Sequence, residues 1–418
     1  MTAHSRRPED PFKVLVIGGC YAGISACLNL LDLCSGSDPR CGKRVDDSPS
    51  SLAPFEVEVT IVDERDGYFH IIGSPLALAS NEYAEKAWVK FEDVAALQQP
   101  NIRIIQGSVT RVDAESKTAT ITPTGSTGAR EAAYDFLVAA SGLRRVWPVV
   151  PQSLRRKQYL FEAGDHADAV SRAAHGVLVV GGGAVGIEMA AELKLVRPET
   201  RVVLAHSRDR LLSSESLPDE AKDVALALLR GAGVEVLTGH RLLEQADVKA
   251  PDGTRAVEVR FTNGHKLLVD VVIMAVSKSV PSSAFLPAVA LDDEGYVKIQ
   301  SNMMFPAETP NATSHFAAGD LCAWSGIKRC GGAMHMGFCA ATNMHQVMLQ
   351  QLTGQAPKFI ELAEFPPMIG LAVGKKAMSY GPDAGVNSGE DVMEMFFGDD
   401  LGFSICWNYL RLGGEKLA

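Results

Sequence analysis

Two glycine-rich turns, each opening directly after an apolar strand, carry the clearest chemistry in this chain of 418 residues. The first is Gly18-Gly19-Cys20-Tyr21-Ala22-Gly23, within KVLVIGGCYAGISACLNLL. The second is Gly181-Gly182-Gly183-Ala184-Val185-Gly186, within VLVVGGGAVGIEMAAEL. A strand, a glycine turn and a helix form a pyrophosphate site, because the helix's first N–H groups meet phosphate and glycines let the backbone come close. Two such units in one chain imply two dinucleotides and electron transfer between them. In the first loop Cys20 replaces the middle glycine, which leaves a tight structural turn as its alternative reading. An acid about 20 residues past the third glycine would hold a ribose hydroxyl. Forty residues separate Gly23 from Asp63, and removing the polar stretch 35–54 restores the expected spacing. In the second unit that position is His206, followed by Arg208 and Arg210. With no acid there, the arginines favour a 2′-phosphate, and so NADPH over NADH; a solvated arginine pair is the alternative.

The elements that must position these loops follow from the apolar pattern. Strands are expected at 12–17, 57–63, 101–123 (in two pieces), 136–143, 177–180, 201–205, 234–237, 255–262, 270–276 and 315–323, with helices at 22–33, 75–98 and 331–352. The stretch 35–54, rich in Ser, Asp, Pro and Gly, reads as a mobile surface insertion. Apolar residues make up 46% and charged residues 22%, the balance of a globular α/β chain of two or three domains. The net charge of −10 argues against a nucleic-acid partner. No run reaches a membrane span, the first ten residues carry no secretory signal, and the eight cysteines form no C-x-x-C pair. A cytoplasmic setting with reduced cysteines, and no metal site, is expected from this.

FLVAASGL (136–143), HFAAGDLCA (315–323) and the two loops, in this order, resemble the two-dinucleotide flavoproteins of the glutathione-reductase fold. VDERDGYFH, GGGAVGIEMAAELK and VVLAHSRDRLL are most similar to the apoptosis-inducing-factor-like group, in the branch of the mitochondrion-associated inducer of death and NAD(P)H:quinone oxidoreductases. The resemblance covers about 12–350 and is faint past 360. It implies two Rossmann-like domains plus a small α+β C-terminal domain. The FAD domain would be 1–144 with 281–352, the NAD(P)H domain 145–280, and the substrate or interface domain 353–418. The first loop would hold FAD, with Asp63 on its ribose and Glu64 and Arg65 following along the nucleotide. Val109 would touch adenine through its backbone. Ala140, Ser141 and Gly142 would lie by the flavin nucleotide, and Gly319-Asp320 by its ribityl chain. Met334, His335 and Met336 would begin the helix that points at the flavin's N1–O2 edge. Gly181, Gly183, Val185 and Gly186 would hold NADPH or NADH, and Glu188 would orient the nicotinamide; its alternative is an ordinary helix glutamate.

Disulfide reductases of that fold carry a cysteine pair beside the flavin, whereas the matching segment here, FHIIGSPLALAS, has none. Electrons are therefore expected to pass from NAD(P)H to FAD and straight to a small acceptor, quinone-like by resemblance. His70 and His335 are the candidate proton donors, with a structural histidine as the competing reading. The block MEMFFGDDLGFSICWNYLRL (393–412) would cover the substrate face and touch a membrane surface, though Asn408 stands where relatives carry lysine. Core packing is the competing reading for at least three of its five aromatics. Two other functions stay open at this point: a flavin-dependent tailoring oxidase or monooxygenase of secondary metabolism, and a non-enzymatic death-effector or redox-binding role. Oligomeric state is not encoded in any of these features.

Overall fold

The computed structural model describes residues 10–45, 54–276 and 279–414. Its largest sheet has seven strands in the order 315–317, 136–139, 12–17, 57–63, 102–113, 118–123, 130–133. The first five run parallel and the last two continue as an antiparallel meander. Strand Phe12–Ile17 lies at the centre and is almost wholly buried, as a strand covered on both faces must be. Ile17 pairs with Val62 on one side and Ala139 on the other. The first glycine loop, Asp63 and the 140–142 turn therefore leave the sheet side by side.

A second parallel sheet repeats that plan in the order 235–237, 202–205, 177–180, 271–274. Here Val180 pairs with Ala205 and Met274. An antiparallel meander, 242–249, 255–261 and 266–269, covers one face; its outer strands were not anticipated from the sequence. A helix at Arg156–Ser171 was likewise not anticipated, because its apolar face is narrow: Tyr159, Ala163, Ala167 and Val170 alone are buried.

The helix expected over 75–98 is broken into short pieces. Only Ser74–Ala77 and Asn81–Ala87 are α-helical, the second capped by Ser80 Oγ accepting from Tyr83 N at 3.3 Å. Trp88–Lys90 then becomes a strand paired with Gly67–Phe69. Pro75 and the aromatic, β-branched Trp88-Val89 favour this outcome over one long helix.

The insertion also needs correction. Residues 46–53 of it lie outside the described residues. The described part is pinned: Arg40 grips Asp32 with two bonds of 2.8 Å and donates to the Leu410 carbonyl at 2.9 Å, and Cys41 N donates to Asn29 Oδ1 at 3.0 Å. Past 360 the chain divides its loyalty. The antiparallel sheet 369–373, 376–381, 385–389 packs on the second unit, whereas the helix Phe403–Tyr409 packs on the first. Of the five C-terminal aromatics, Phe397 and Phe403 are buried and Trp407 is half-buried against the core, while Phe396 and Tyr409 are exposed. Among the described residues no helix is long and apolar enough to cross a membrane, and no cluster suits a metal ion.

Candidate active site

The two loops share one internal geometry. Gly18 and Gly181 have φ of +109° and +125°, where an L side chain is strained. Gly18 N donates to Val62 O at 2.8 Å, and Gly181 N to Ala205 O at 2.9 Å. In both loops a Cβ on the last glycine, Gly23 or Gly186, would run into the first glycine's carbonyl oxygen. Each loop then opens a helix, Tyr21–Cys34 and Ala184–Val196.

Around the first loop the partners are acidic. Asp63 accepts from Gly19 N at 2.6 Å and from Arg65 N at 2.7 Å. Burial still holds its carboxyl above the usual value, against the pull of Arg65 and those donors. A Cβ on Gly18 would meet the Ala140 carbonyl and Ser141 N, so the 140–142 turn closes the loop's other side. Ser141 Oγ donates to Ser282 O at 2.7 Å. Asp320 follows Gly319, whose φ is +88°, and burial raises its carboxyl. Its nearest cation, Arg145, stands 4.0 Å away. A recessed carboxylate beside a glycine loop suits the hydroxyls of a ribityl chain.

Cys20 turns its side chain out of the loop and donates to Phe69 O at 3.3 Å. The backbone route past residue 20 is thus kept clear despite the missing glycine. Arg65 Nε is buried without a hydrogen-bond partner, which suits a bound nucleotide oxygen. Glu64 is committed elsewhere: burial opposes its ionisation, but Arg144 at 2.8 Å and Ser108 at 3.0 Å hold it below the usual carboxylate value. Val109 lies in the antiparallel extension opposite Ile121, three residues past Gln106, the partner of Asp63.

The helix expected over 331–352 is found, one residue longer at each end. It spans Cys330–Thr353, so Met334, His335 and Met336 sit in its second turn rather than at its beginning. Its leading N–H groups belong to Cys330, Gly331 and Gly332, and a Cβ on Gly331 would meet only open space. Gly337 seats this helix directly on Tyr21–Cys34, where any side chain would strike the Ala22 carbonyl. Ser25 Oγ ties the two together by donating to Met334 O at 2.6 Å. The Gly331-Gly332 pair was legible in the sequence as the mark of a backbone approached by a ligand, and was missed.

The geometry corrects the first of the two candidate proton donors. His70 is fully buried; its Nδ1 accepts from Tyr21 Oη at 2.9 Å and its Nε2–H donates to Leu401 O at 2.9 Å. With burial driving its pKa down to about 4, it is a neutral ring with both nitrogens occupied. It therefore fixes the C-terminal block to the first loop's helix and offers no proton outward. His335 is exposed and lies beside Cys339 Sγ at 3.6 Å and Phe365.

Around the second loop the partners are neutral or basic. Gly182 N donates to His206 Nδ1 at 3.1 Å, the place Asp63 takes in the first loop. His206 Nε2–H donates to Ser213 Oγ at 2.9 Å, and burial lowers its pKa, so the ring is uncharged. Arg208 reaches Ser213 and Ser214 at 3.1 and 3.3 Å and is exposed. Arg210 is instead paired with Asp223 at 3.0 Å and Asp219 at 3.4 Å, which removes it from the expected pair. A Cβ on Gly183 would meet nothing, leaving an open cradle at the helix start. Val185 lies in the first turn of that helix.

Glu188 and Glu192 sit one turn apart on the same helix. Glu188 accepts from Ala372 N at 3.3 Å, and burial lifts its carboxyl to about 8. Burial lifts Glu192 to about 8 as well, and its Oε1 has no hydrogen-bond partner. Burial thus favours the protonated form of both carboxyls. Glu192 was missed in the sequence, although its four-residue spacing from Glu188 was visible.

The chain matches the family model described as pyridine nucleotide-disulphide oxidoreductase over residues 12–337. It is 51% identical to the oxidoreductase OXR1 of Ajellomyces capsulatus over 417 residues, covering 99% of this chain and 89% of that one. It is 25% identical to the mouse ferroptosis suppressor protein 1 over 275 residues, 66% of this chain and 65% of that relative's length, just under two thirds. An engineered water-forming NADPH oxidase solved with NADPH bound superposes with a TM-score of 0.60 at 18% identity, covering 88% of this chain and 75% of that one.

Proposed function

The chain belongs to the pyridine nucleotide-disulphide oxidoreductase family, and on that premise we propose that it reduces a small quinone-like acceptor directly, without a dithiol relay on the segment Phe69–Ala79. Membership makes it an FAD-dependent NAD(P)H oxidoreductase. The observation that carries the proposal is that segment itself: Phe69–Ala79 holds no cysteine, and Ser74 and Pro75 are packed where it turns into its short helix.

The bound flavin and nicotinamide supply two-electron exchange; the chain binds, orients and holds protons. Asp63, Arg65 and the 18–23 turn are the residues that would grip the FAD nucleotide, and Asp320 its ribityl hydroxyls. The N-terminus of Cys330–Thr353 would favour negative charge at the flavin. Gly183, Val185 and the start of their helix would meet the nicotinamide nucleotide's phosphates. Glu188, whose burial favours the protonated carboxyl, would offer a hydrogen bond to the nicotinamide from beside Ala372. We propose NADPH as the preferred donor. The neutral His206 in the ribose-acid position and the Arg208–Ser213–Ser214 group support that choice. The substitutions that define the engineered NADPH oxidase likewise remove an aspartate and introduce two arginines and a serine.

The exposed Met395, Phe396, Ile405 and Tyr409 support peripheral membrane contact by the C-terminal block. Co-flotation of the protein with liposomes tests it, and loss of co-flotation on replacing Met395 and Phe396 by serine is expected.

A stopped-flow acceptor screen on the NADPH-reduced protein tests the central reading. Benzoquinones should reoxidise it at least about tenfold faster than small disulfides. Indifference to quinones, with turnover of one particular metabolite, would replace this reading by a tailoring enzyme.

A further inference from the structure

Eight cysteines are free, and two of them, distant in sequence, meet at the start of the flavin-side helix. Cys330 is the first residue of Cys330–Thr353 and is partly exposed. Cys406, in the middle of Phe403–Tyr409, is 3% exposed and points its S–H at Cys330 Sγ, 3.9 Å away. We propose that Cys330 and Cys406 are a redox-closable thiol pair, in which Cys330 reacts with a hydroperoxide and Cys406 resolves the product to a disulfide that latches the C-terminal helix onto the flavin-side helix.

Three features point the same way. The sulfurs stand 3.9 Å apart, only about 2 Å beyond bonding distance. The less buried member, Cys330, sits at the N-terminus of a 24-residue helix, whose dipole stabilises a thiolate. The environment separates Cys330 from the rest. The hydrogen bond from Cys406 holds its thiol below the usual value, despite burial. Burial pushes the thiols of Cys20, Cys27, Cys34, Cys41, Cys322 and Cys339 upward. Cys406 is raised too, by its bond to Cys330 and then by burial, which suits a resolving thiol that waits protonated. The reaction balances. Cys330 sulfur attacks the peroxide oxygen, the O–O bond breaks, and water or an alcohol leaves as Cys330 becomes a sulfenic acid. Cys406 sulfur then attacks Cys330 sulfur, the S–O bond breaks, and a second water leaves. Two thiols lose two electrons and the hydroperoxide gains them.

The latch has something to hold. Phe403 packs edge-on against His70 at 5.5 Å, and Trp407 against Tyr68 at 6.1 Å, so Phe403–Tyr409 covers the side of the first unit where Tyr21 begins its helix. A bond from Cys406 to Cys330 would fix that cover in place.

The test uses the full chain, reduced, freed of reductant and treated with one equivalent of hydrogen peroxide. Free thiols are then alkylated and the peptides mapped by mass spectrometry. The expected result is loss of two thiols and a cross-link between the peptide starting at Cys330 and the one holding Cys406. Fragmentation distinguishes Cys330 from Cys339 on the same tryptic peptide. The other six cysteines should remain alkylated. In Cys406→Ser, Cys330 should stop as a sulfenic acid that dimedone captures; in Cys330→Ser, thiol loss should slow about tenfold or more. A cross-link to Cys20 instead, over-oxidation of Cys330 in the native chain without a cross-link, or unchanged thiols would each overturn the proposal.

Discussion

The two glycine loops are nearly the same piece of backbone, and they differ in what stands at their edges. Each starts with a left-handed glycine, ends with a glycine pressed on the first one's carbonyl, and donates a second N–H to the side chain at the end of the neighbouring strand. In the first loop that side chain is Asp63, and in the second it is the uncharged His206. The first loop's middle position is Cys20, turned away to Phe69, and the second's is Gly183, with open space beyond it. On the proposed reading, the shared backbone would serve phosphate in both loops, and the edge residue would set which nucleotide each prefers.

The largest effect should come from breaking the shared part. Gly23→Ala and Gly186→Ala each push a methyl into a backbone carbonyl, a clash worth about 1–3 kcal/mol, which is roughly fivefold to just over a hundredfold in affinity. The consequences should differ: Gly23→Ala should purify with its visible flavin absorbance largely lost, while Gly186→Ala should stay yellow yet be reduced slowly by NADPH. Equal loss of flavin in both would dissolve the distinction between the loops. Arg208→Ala should raise the KM for NADPH about tenfold and that for NADH far less, and steady-state kinetics with both donors would contradict the 2′-phosphate site if the two moved together. Gly183→Ala, whose added Cβ has no protein neighbour to meet, should leave Tm unchanged but raise the nicotinamide-nucleotide KM severalfold. A matching fall in Tm would mean that Gly183 serves packing rather than binding.

The smallest effect concerns stability against pH. Glu192 has a folded value of about 8 against an ordinary 4.5. Its neutral form is favoured in the folded state, so its contribution is complete below 4.5 and is lost as pH rises toward about 8. Tm should fall across that window, and Glu192→Gln should flatten the fall by a few degrees at its alkaline end. An unaltered pH profile in the variant would show that the carboxyl is already ionised in the fold.

The loops, the central strands and the restored register of Asp63 were legible because glycine spacing and buried parallel strands are local signals. The edge chemistry was only half legible. The sequence presents Arg208 and Arg210 alike, but Asp219 and Asp223, brought near by the helix Asp219–Gly231, neutralise the second. His70 read as a titratable donor because its partners, Tyr21 and the Leu401 carbonyl, lie 49 and 331 residues away. The insertion read as loose because its anchors, Asp32 and Leu410, are visible only after folding. Short segments such as 88–90 became strands through pairing with 67–69, which outweighed the helical pattern around them.

Anaerobic titration of the purified holoenzyme with NADPH, followed by its visible spectrum and by flavin analysis, bears most directly on the claim that the two loops hold two nucleotides in electron contact. One flavin per chain, bleached to completion near one equivalent of NADPH, is the expected result. A folded but colourless chain, or a yellow one that neither NADPH nor NADH bleaches, would contradict it.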